Sequence, residues 1–369
     1  MSRHHRVVPA TLAALALMLA ACRTDTDMND QADAAVPASP ADTSASRDDG
    51  PTGVVTLAFA GDLHFQLHLA ALLDHPRGAL GPIARALAGA DVAMVNLESA
   101  ITERGTLEAK ELEDADRRFY YRTSAAALDV LDAAGIDVVT MANNHGADYG
   151  PVGVQDTLAA VRTGPVPVIG IGRDRRAAFA PYRISVRGTD LAFLAADASP
   201  REGASQVWAA GPRTPGIAAA RADRPRALLA AVRAASQQAD VVVVYLHWGA
   251  EKRACPTLRQ RTAARALTEA GADVVVGTHA HVQLGAGWLG EAYVSYGLGN
   301  FLWYHNREPD SGVLRVRIRD GEVVGDGWVP ARIGTFGIPW PLAGRARTEA
   351  VADWHRLRGC TDLAPRPPA

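Results

Sequence analysis

The chain has 369 residues, enough to bury a large core in one domain or in two. Hydrophobic residues make up 48% and charged residues 21%, as in an ordinary globular protein, and the formal net charge is -2. This balance excludes the strongly basic surface of a nucleic-acid-binding protein, so no nucleic-acid partner is expected. A polyanionic partner would have to be held by a local group of residues.

Residues 1–22 have the features of a bacterial lipoprotein signal peptide. A basic head at residues 3–6 precedes an apolar run at residues 7–19, which is too short to span a bilayer comfortably. The run leads into the letters LAAC, in which small residues precede Cys22 as they do at an acylated lipobox cysteine. A simple signal peptide with an incidental Cys22 is the alternative, and both interpretations predict export. Because Arg rather than Asp follows the cysteine, the membrane-anchored lipoprotein is expected at the outer membrane of a double-membraned bacterium.

The rest of the chain divides into three parts. Residues 23–52 are rich in Asp, Ala, Ser, Thr and Pro and have almost no large apolar groups, so a flexible tether is predicted. Residues 53–305 form the predicted main domain, and residues 306–369 form a strand-rich completion and tail. Only Cys255 and Cys360 remain in this mature part, where export permits a disulfide. A bridge that fastens the tail and two free buried thiols are both compatible with the sequence.

From residue 54 onwards, short β-branched runs alternate with Ala-rich helical stretches, which is the pattern of an α/β fold. The predicted strands are 54–60, 92–96, 138–140, 168–171, 191–196, 241–246 and 274–277. The predicted helices are 124–134, 151–162, 225–238 and 256–270. Helix start and end signals support this assignment, with Pro151 and Pro225 in first turns and Gly271 after a last turn.

Beyond Gly290 the pattern changes to strands without long helices. The predicted strands are 291–296, 313–319 and 322–328. The pair Asp320-Gly321 lies between two of these alternating runs and is a strong hairpin signal. A strand-rich ending of this kind suits a second sheet packed against the first.

Two long segments fall outside the alternating pattern. Residues 103–122 are dense in charges of both signs and are predicted as a plain surface loop, with a solvated excursion near the functional site as the alternative. Residues 198–224, which are rich in Gly, Pro, Ala and Arg, are predicted as another long insertion.

Five of the eleven histidines fall at or just beyond the C-terminal ends of predicted strands, the edge where open α/β sheets bind ligands. They are His64, His145, His247, His279 and His281. Carboxylates and amides stand at the same strand ends, namely Asp62, Asn96, Glu98, Asn143, Asn144, Asp148 and Glu251. Each cluster alone has an ordinary explanation as a helix cap, a turn or a core histidine. Five clusters at equivalent ends predict a metal site, because these side chains offer the nitrogen and oxygen ligands that divalent metals take.

Three segments are especially informative. His279 and His281 are two residues apart in a strand-like exit and would share one face, which suits a pair of neighbouring metals. Asn143 and Asn144 follow a strand, although Asn disfavours strands and is costly to bury without a partner. Asn300 follows a glycine-rich turn, and its amide is expected to position a neighbouring histidine or a ligand.

In their order along the chain these motifs resemble the CapA family of capsule or poly-γ-glutamate synthesis proteins. The resemblance covers about residues 54–305, and it rests on GD at 61–62, NLE at 96–98, ANNH at 142–145, HWGxE at 247–251, GxHxH at 277–281 and GNF at 299–301. The family's domain is similar to calcineurin-like metallophosphoesterases. This similarity implies a four-layer α/β/β/α sandwich, in agreement with the strand-rich ending.

The resemblance also implies a role for each matching residue. Seven residues would hold one or two divalent metals: Asp62, His64 and His281 around the first, Asn144, His247 and His279 around the second, and Glu98 in place of the usual bridging Asp. Three residues belong to the implied catalytic set: His145, which would assist the leaving group, and Asp148 and Glu251, which would orient neighbours. Three amides would support them, namely Asn96, Asn143 and Asn300. Mixed nitrogen and oxygen ligands suit Mn, Fe or Zn better than Mg or Ca.

Two functions follow from this set of residues. The first is a metal-dependent hydrolase that cleaves a phosphoester or a bond of a cell-envelope polymer. The second is a non-hydrolytic, metal-binding accessory protein that helps membrane synthase components assemble or export an anionic polymer such as poly-γ-glutamate. His145 favours the hydrolase, because a site kept only for binding has no need of a proton donor beside the metals.

Overall fold

The computed structural model describes residues 45–47, 53–111, 113, 115–200, 208–221 and 225–368. The predicted signal peptide with Cys22 lies outside these residues, as does most of the predicted tether. Within the predicted tether, residues 45–47 are described and form a short strand. Within the described part of the chain, none of the helices has the length and apolar character needed to cross a membrane.

Strands and helices alternate along most of the chain. In the described residues the strands are β1 (Ala45–Arg47), β2 (Val55–Leu63), β3 (Val92–Leu97), β4 (Ala100–Ile101), β5 (Arg122–Thr123), β6 (Val138–Thr140), β7 (Val168–Ile169), β8 (Ile171–Gly172), β9 (Tyr182–Val186), β10 (Thr189–Ala198), β11 (Gly216–Ile217), β12 (Val241–Trp248), β13 (Val274–His279), β14 (Gln283–Leu289), β15 (Ala292–Leu298), β16 (Asn300–Leu302), β17 (Asp310–Arg319), β18 (Glu322–Ile333) and β19 (Pro339–Pro341). The α-helices are α1 (Ala84–Ala88), α2 (Ala126–Ala133), α3 (Gly150–Thr163), α4 (Arg175–Ala178), α5 (Arg226–Ser236), α6 (Leu258–Thr268) and α7 (Gly344–Arg356).

Two large sheets carry the fold. Sheet I has the strand order β19-β18-β17-β2-β3-β6-β7, with β16 alongside β2, and sheet II has the order β1-β9-β10-β12-β13-β15-β14. The central strands are parallel in both sheets, from β2 to β7 in sheet I and from β10 to β15 in sheet II. The antiparallel hairpin β17–β18 completes sheet I beside β2. It turns at Asp320 and Gly321, both with positive φ, which confirms the hairpin prediction.

The two sheets face each other across an apolar layer. Leu57 and Phe59 of sheet I pack in this layer with Val243 and Tyr245 of sheet II. Alternate residues of each strand point the other way, so the outer face of sheet I packs on α1, α2 and α3 and that of sheet II on α5 and α6. The order of layers is therefore α/β/β/α, and the predicted four-layer sandwich is confirmed.

An aspartate directly before each of four strands fixes the parallel register. The residues are Asp91, Asp137, Asp240 and Asp273, before β3, β6, β12 and β13. Each carboxylate accepts the backbone N–H of a residue near the start of the neighbouring strand, at 2.7 to 2.8 Å. Since these bonds align the strand starts, the opposite ends of the strands come out at a common edge of each sheet.

Replacing Asp273 with Asn is expected to stabilise the protein at pH 7 but not at pH 4. Burial raises the pKa of Asp273 to about 6, although the N–H of Val242 partly opposes this shift. An unfolded Asp ionises near pH 4, so between about pH 4 and pH 6 the folded state holds the extra proton and stability falls as pH rises. Asn has no charge to bury and its amide oxygen can accept the same bond. The gain at pH 7 should be about 1 to 3 kcal/mol.

The measurement is urea unfolding of wild type and Asp273→Asn from pH 4 to pH 7. Asp240→Asn is the matched control, because Asp240 makes the same kind of bond from an exposed position. A difference between Asp273→Asn and wild type that stays constant across the pH range would contradict the prediction.

Two sequence predictions about secondary structure are wrong. Residues 168–171 are not one strand, because Gly170 turns the chain in the left-handed region and separates β7 from β8, which lie in different sheets. The ending also contains a long helix, α7, where none was predicted. Only Trp354 of this helix is buried, stacked on Trp328 at 4.0 Å, so its sequence lacks the apolar stripe that marks a helix.

Cys255 and Cys360 form a disulfide, with their Cα atoms 5.6 Å apart. The bond joins the loop that follows β12 to the short helical turn Leu357–Cys360. Arg261 reinforces this connection by donating to the carbonyl oxygen of Cys360 at 2.6 Å. Of the two alternatives left open by the sequence, the structure contains the bridge that fastens the tail.

Candidate metal centre

The polar strand ends of both sheets meet at one place. The chain of sheet I passes very close to that of sheet II at Gly61, where Asp62 N–H donates to the carbonyl oxygen of Gly299 at 3.0 Å. A Cβ atom on Gly61 would overlap this carbonyl oxygen, so only glycine allows the approach. The Tyr245 hydroxyl also donates to Ala60 O at 2.6 Å. These contacts bring the loops after β2, β3 and β6 against those after β12 and β13.

Asp62 lies at the middle of this meeting point and is fully buried. Its carboxylate accepts hydrogen bonds from the Asn96 amide at 2.8 Å and from the backbone N–H of His279 at 2.9 Å. The Nδ1 atoms of His247 and His281 are 3.5 and 3.6 Å from its oxygens. Burial works to raise the pKa of Asp62, but the hydrogen bond and charge of His247, aided by His281, hold it well below its usual range. The group therefore stays anionic.

Glu98 and His64 have buried polar atoms that make no hydrogen bond to the described residues. Both carboxylate oxygens of Glu98, and Nε2 of His64, lack a hydrogen-bond partner among the described residues. Burial, followed by repulsion from Asp62 and Glu251, raises the pKa of Glu98 well above its usual value. Burial also lowers the pKa of His64, and the neighbouring histidines add to this shift. A buried carboxylate that accepts no hydrogen bond is costly, and a divalent cation would satisfy both groups.

These donors fit a divalent metal. Ligand atoms of Asp62, Glu98 and His281 lie within 4.8 Å of one another. His64 interacts electrostatically with Asp62 and with His281, and is therefore beside this group. The four residues together offer two neutral or ionisable imidazoles and two carboxylates, a donor set that suits transition metals.

The second predicted ligand group is adjacent. His247 Nε2 lies 2.6 Å from the Asn144 amide oxygen and 3.0 Å from His279 Nδ1. The same atom is 3.8 Å from Glu98 Oε1. The predicted second set, Asn144, His247 and His279, is therefore brought together, and Glu98 stands between it and the group around Asp62.

The backbone at His279 and His281 differs from the sequence prediction. Their φ angles are +85° and +57°, in the left-handed region that non-glycine residues rarely adopt. The expected strand-like exit is therefore wrong, although the two imidazole rings still lie near each other, with centroids 5.9 Å apart. His279 turns its Nδ1 toward His247, whereas His281 Nδ1 lies 2.9 Å from the Asn300 amide oxygen. The hydrogen bond from His279 N–H to Asp62 helps to hold this unusual conformation.

The predicted supporting amides form a buried network. Asn96 donates to Asp62, and its own amide oxygen accepts from Asn143 at 2.9 Å. Asn143 also donates to Leu97 O at 2.8 Å and accepts the backbone N–H of His145 at 3.0 Å. Each amide thereby fixes the orientation of the next residue, as is common around metal ligands.

His145 and Asp148 form a pair beside the centre. His145 Nδ1 is 2.6 Å from Asp148 Oδ2, and His145 Nε2 is 3.6 Å from Glu98 Oε1. Burial raises the pKa of Asp148 to about 7, although Lys110 opposes this shift. The imidazole stacks on Tyr121, with ring centroids 4.2 Å apart.

Glu251, the third residue of the implied catalytic set, is placed differently. Its side chain is exposed. Its negative charge contributes to the raised pKa of Glu98, so it lies near the centre without contacting it.

Sequence reasoning missed a buried lysine. Lys110 lies in the segment 103–122, but its side chain is completely buried and its Nζ is 2.9 Å from Asp148 Oδ1. The prediction of a plain surface loop is therefore wrong for this part of the segment. Its dense charges are typical of a solvated surface, and the aromatic letters FYY at 119–121 were the one local sign of burial.

An aromatic wall covers His64. The rings of Tyr121, Trp303 and Tyr304 lie 4.8, 4.3 and 5.0 Å from the imidazole. Trp303 also contacts His281, at 4.7 Å. The wall comes from two segments distant in sequence, and it limits the access of water to the candidate ligands.

The fold and the site define a four-layer α/β/β/α protein with a buried, histidine-rich candidate metal centre at the strand ends of both sheets. Residues 56–305 match the family model for the bacterial capsule synthesis protein PGA_cap. The chain therefore belongs to this family, and the predicted resemblance is confirmed.

Two named Bacillus relatives agree with this assignment. The chain is 30% identical over 278 residues to the PGA biosynthesis protein CapA of Bacillus subtilis (strain 168), a match that covers 72% of this chain and 68% of the relative. It is 29% identical over 242 residues to the capsule biosynthesis protein CapA of Bacillus anthracis, covering 64% of this chain and 57% of the relative. Among solved structures, a novel phosphatase from Mycoplasma pneumoniae is 13% identical with a TM-score of 0.47, covering 76% of this chain and 94% of that one.

Proposed function

We propose that the protein is a metal-dependent hydrolase that cleaves a phosphoester or an envelope-polymer bond during capsule or poly-γ-glutamate synthesis. The observation that carries the proposal is the His145–Asp148 pair, which lies next to Glu98 at the edge of the candidate centre. Membership of the capsule synthesis family supports the biological setting. The anionic polymer, or a phosphoester derived from its synthesis, is the proposed substrate, and synthase components are proposed partners.

One or two Mn, Fe or Zn ions would be held by Asp62, His64, Glu98, Asn144, His247, His279 and His281. When bound, such ions polarise the scissile bond, make water a stronger nucleophile and offset the negative charge that develops. The buried carboxylate of Asp62, which stays anionic, would provide negative charge to retain them, and Glu98 would add to it by losing its proton when an ion binds. Asn96 and Asn143 keep these ligands in place through their amide network.

The protein itself supplies the proton that the leaving oxygen takes up. Asp148 holds His145 through Nδ1, and in the imidazolium form of His145 the second proton is on Nε2, which donates it to the departing oxygen. Stacking on Tyr121 keeps the imidazole plane fixed, and the aromatic wall excludes bulk water from this side. A proton delivered in this way makes a poor leaving group depart faster.

The second candidate function is the non-hydrolytic accessory role. The names of the two Bacillus relatives describe biosynthesis, not cleavage, and this favours a binding role in polymer assembly or export. The exposed position of Glu251 also leaves the implied catalytic set incomplete.

The test is to purify the full chain in detergent, to measure bound metals by elemental analysis, and to assay phosphodiester and poly-γ-glutamate hydrolysis. We expect one or two bound ions per chain and hydrolysis of one of the substrates. In His279→Ala we expect the bound metal and the hydrolytic activity to be lost together. Bound metal without turnover would support the accessory role. Absence of metal from the wild type would rule out the centre.

Export and membrane attachment through an acylated Cys22, at the outer membrane of a double-membraned host, are part of the proposal. Their support is the basic head, the apolar run and the small residues before the cysteine. Metabolic labelling with palmitate should mark the wild type and not Cys22→Ala, and equal labelling of both would refute the anchor.

A further inference from the structure

Lys110 is a buried charge that the proposed mechanism has not used. It lies in the loop between β4 and β5, with φ at +44°, and its side chain has no exposed surface. Lysine is almost never fully buried unless its ammonium group is paired. Its Nζ is 2.9 Å from Asp148 Oδ1, 3.4 Å from His145 Nδ1 and 3.5 Å from Glu113 Oε1, and it donates to Phe119 O at 2.8 Å. The closer of the two carboxylates is that of Asp148, which also contacts His145.

The two oxygens of Asp148 face different groups. Oδ1 receives the ammonium of Lys110, whereas Oδ2 lies 2.6 Å from His145 Nδ1 and accepts the backbone N–H of Tyr121 at 2.7 Å. A carboxylate held from both sides cannot rotate without breaking one of these contacts. With Nδ1 as the donor to Asp148, the imidazole presents Nε2 on the side of Glu98.

Lys110 also joins two parts of the chain that are far apart in sequence. Its ammonium lies over the rings of Tyr120, at 5.1 Å, and Trp208, at 5.4 Å. Tyr120 belongs to the same loop, whereas Trp208 belongs to the insertion after β10. A residue with this position has either a structural role, in which it packs the two segments, or a role in orienting His145 through Asp148.

We propose that Lys110 is a positioning residue for His145, an inference that rests on the proposed hydrolase function. Its ion pair fixes the Asp148 carboxylate, and the carboxylate fixes the imidazole so that Nε2 is aimed at the departing oxygen. In the step that it serves, the oxygen of water bonds to phosphorus and the bond from phosphorus to the leaving oxygen breaks. His145 acts in this step as the imidazolium, protonated at Nδ1 toward Asp148 and at Nε2 toward the leaving group. The leaving oxygen keeps the electron pair and takes the proton from Nε2, which leaves a neutral imidazole, and a proton from the attacking water restores the imidazolium.

The test compares wild type and Lys110→Met on phenyl and p-nitrophenyl phosphate esters. A p-nitrophenolate leaves without a proton, whereas a phenolate needs one, so misplacement of His145 should harm the phenyl ester selectively. We expect kcat for the phenyl ester to fall at least about tenfold more than kcat for the p-nitrophenyl ester, with KM and bound metal unchanged. Equal losses on both esters would overturn the proposal in favour of a purely structural role.

Glu113→Gln is the matched control. It removes the second carboxylate next to Lys110 and leaves Asp148 in place, so the ratio of the two kcat values should stay at the wild-type level. If Lys110→Met does not fold, as judged by circular dichroism, Lys110→Gln serves in its place, because its amide can still donate to Phe119 O.

A spectroscopic readout separates this inference from the proposed function. A proton shared in the short contact between His145 and Asp148 should give a downfield imidazole N–H resonance, assigned by its loss in His145→Ala. We expect this resonance in the wild type and its loss or a large upfield shift in Lys110→Met. If the wild type hydrolyses neither ester, the hydrolase function fails, and this resonance still tests Lys110. An unchanged resonance in Lys110→Met would refute the positioning role.

Discussion

Replacing His145 with Ala is expected to lower kcat for phosphoester hydrolysis by about 10²- to 10⁴-fold, the usual contribution of a positioned general acid. The imidazole contacts Asp148 and Tyr121, and its Nε2 is 3.6 Å from Glu98 Oε1. It is therefore close enough to reach a leaving group held at the centre. Bound metal should stay at the wild-type level, because the predicted ligands keep their own contacts in this variant.

The measurement is steady-state kinetics together with elemental analysis of the same preparation. His355→Ala is the control, since His355 is exposed on α7 and distant in sequence from the centre. Loss of metal in parallel with activity would mean that His145 acts as a ligand and not as a proton donor. An unchanged kcat for poor leaving groups would exclude the assigned role altogether.

The candidate ligands could be predicted because they follow conspicuous strands. The run 241–246 is so apolar that it must be buried, and a polar residue such as His247 directly after it needs a specific partner. The same reasoning located Asp62 at the end of β2 and Asn144 after β6. Parallel strands aligned at their starts bring these residues to one edge, so local patterns were enough to predict the cluster.

The position of Lys110 could not be predicted from any local pattern. Its segment has the charge density of a solvated loop, and its burial depends on partners such as Asp148, which follows a different strand. The same limit applies to Glu251, which shares a motif with His247 but points to solvent. The spacing of a motif predicts which residues follow the end of a strand. It does not predict the conformation of the loop that those residues form.

The backbone conformation at the end of β13 also differs from what the sequence predicted. His279 and His281 were expected on one face because strand residues two apart point the same way. The strand ends at His279, and both residues adopt left-handed φ values. Contacts with Asp62 and Asn300, which lie on other strands, hold this conformation and cannot be deduced from the spacing of the two histidines.

Removing the disulfide with Cys255→Ser and Cys360→Ser together is expected to lower the free energy of unfolding by about 2 to 4 kcal/mol. The bridge joins residues 105 apart in sequence, so it removes much of the freedom of the unfolded chain. The native tail has other attachments, because Arg261 bonds to Cys360 O, and Ala364 and Trp288 pair through their backbones.

The folded structure should therefore persist in the double variant, with its bound metal unchanged, and the loss should appear in urea unfolding. Wild type unfolded in the presence of a reducing agent should show the same loss, which controls for the effect of the substitutions themselves. Unfolding curves that coincide with those of the oxidised wild type would show that the bridge does not contribute to stability. Loss of metal in the folded double variant would instead mean that the bridge holds the loop after β12, which follows His247, in the geometry that the centre requires.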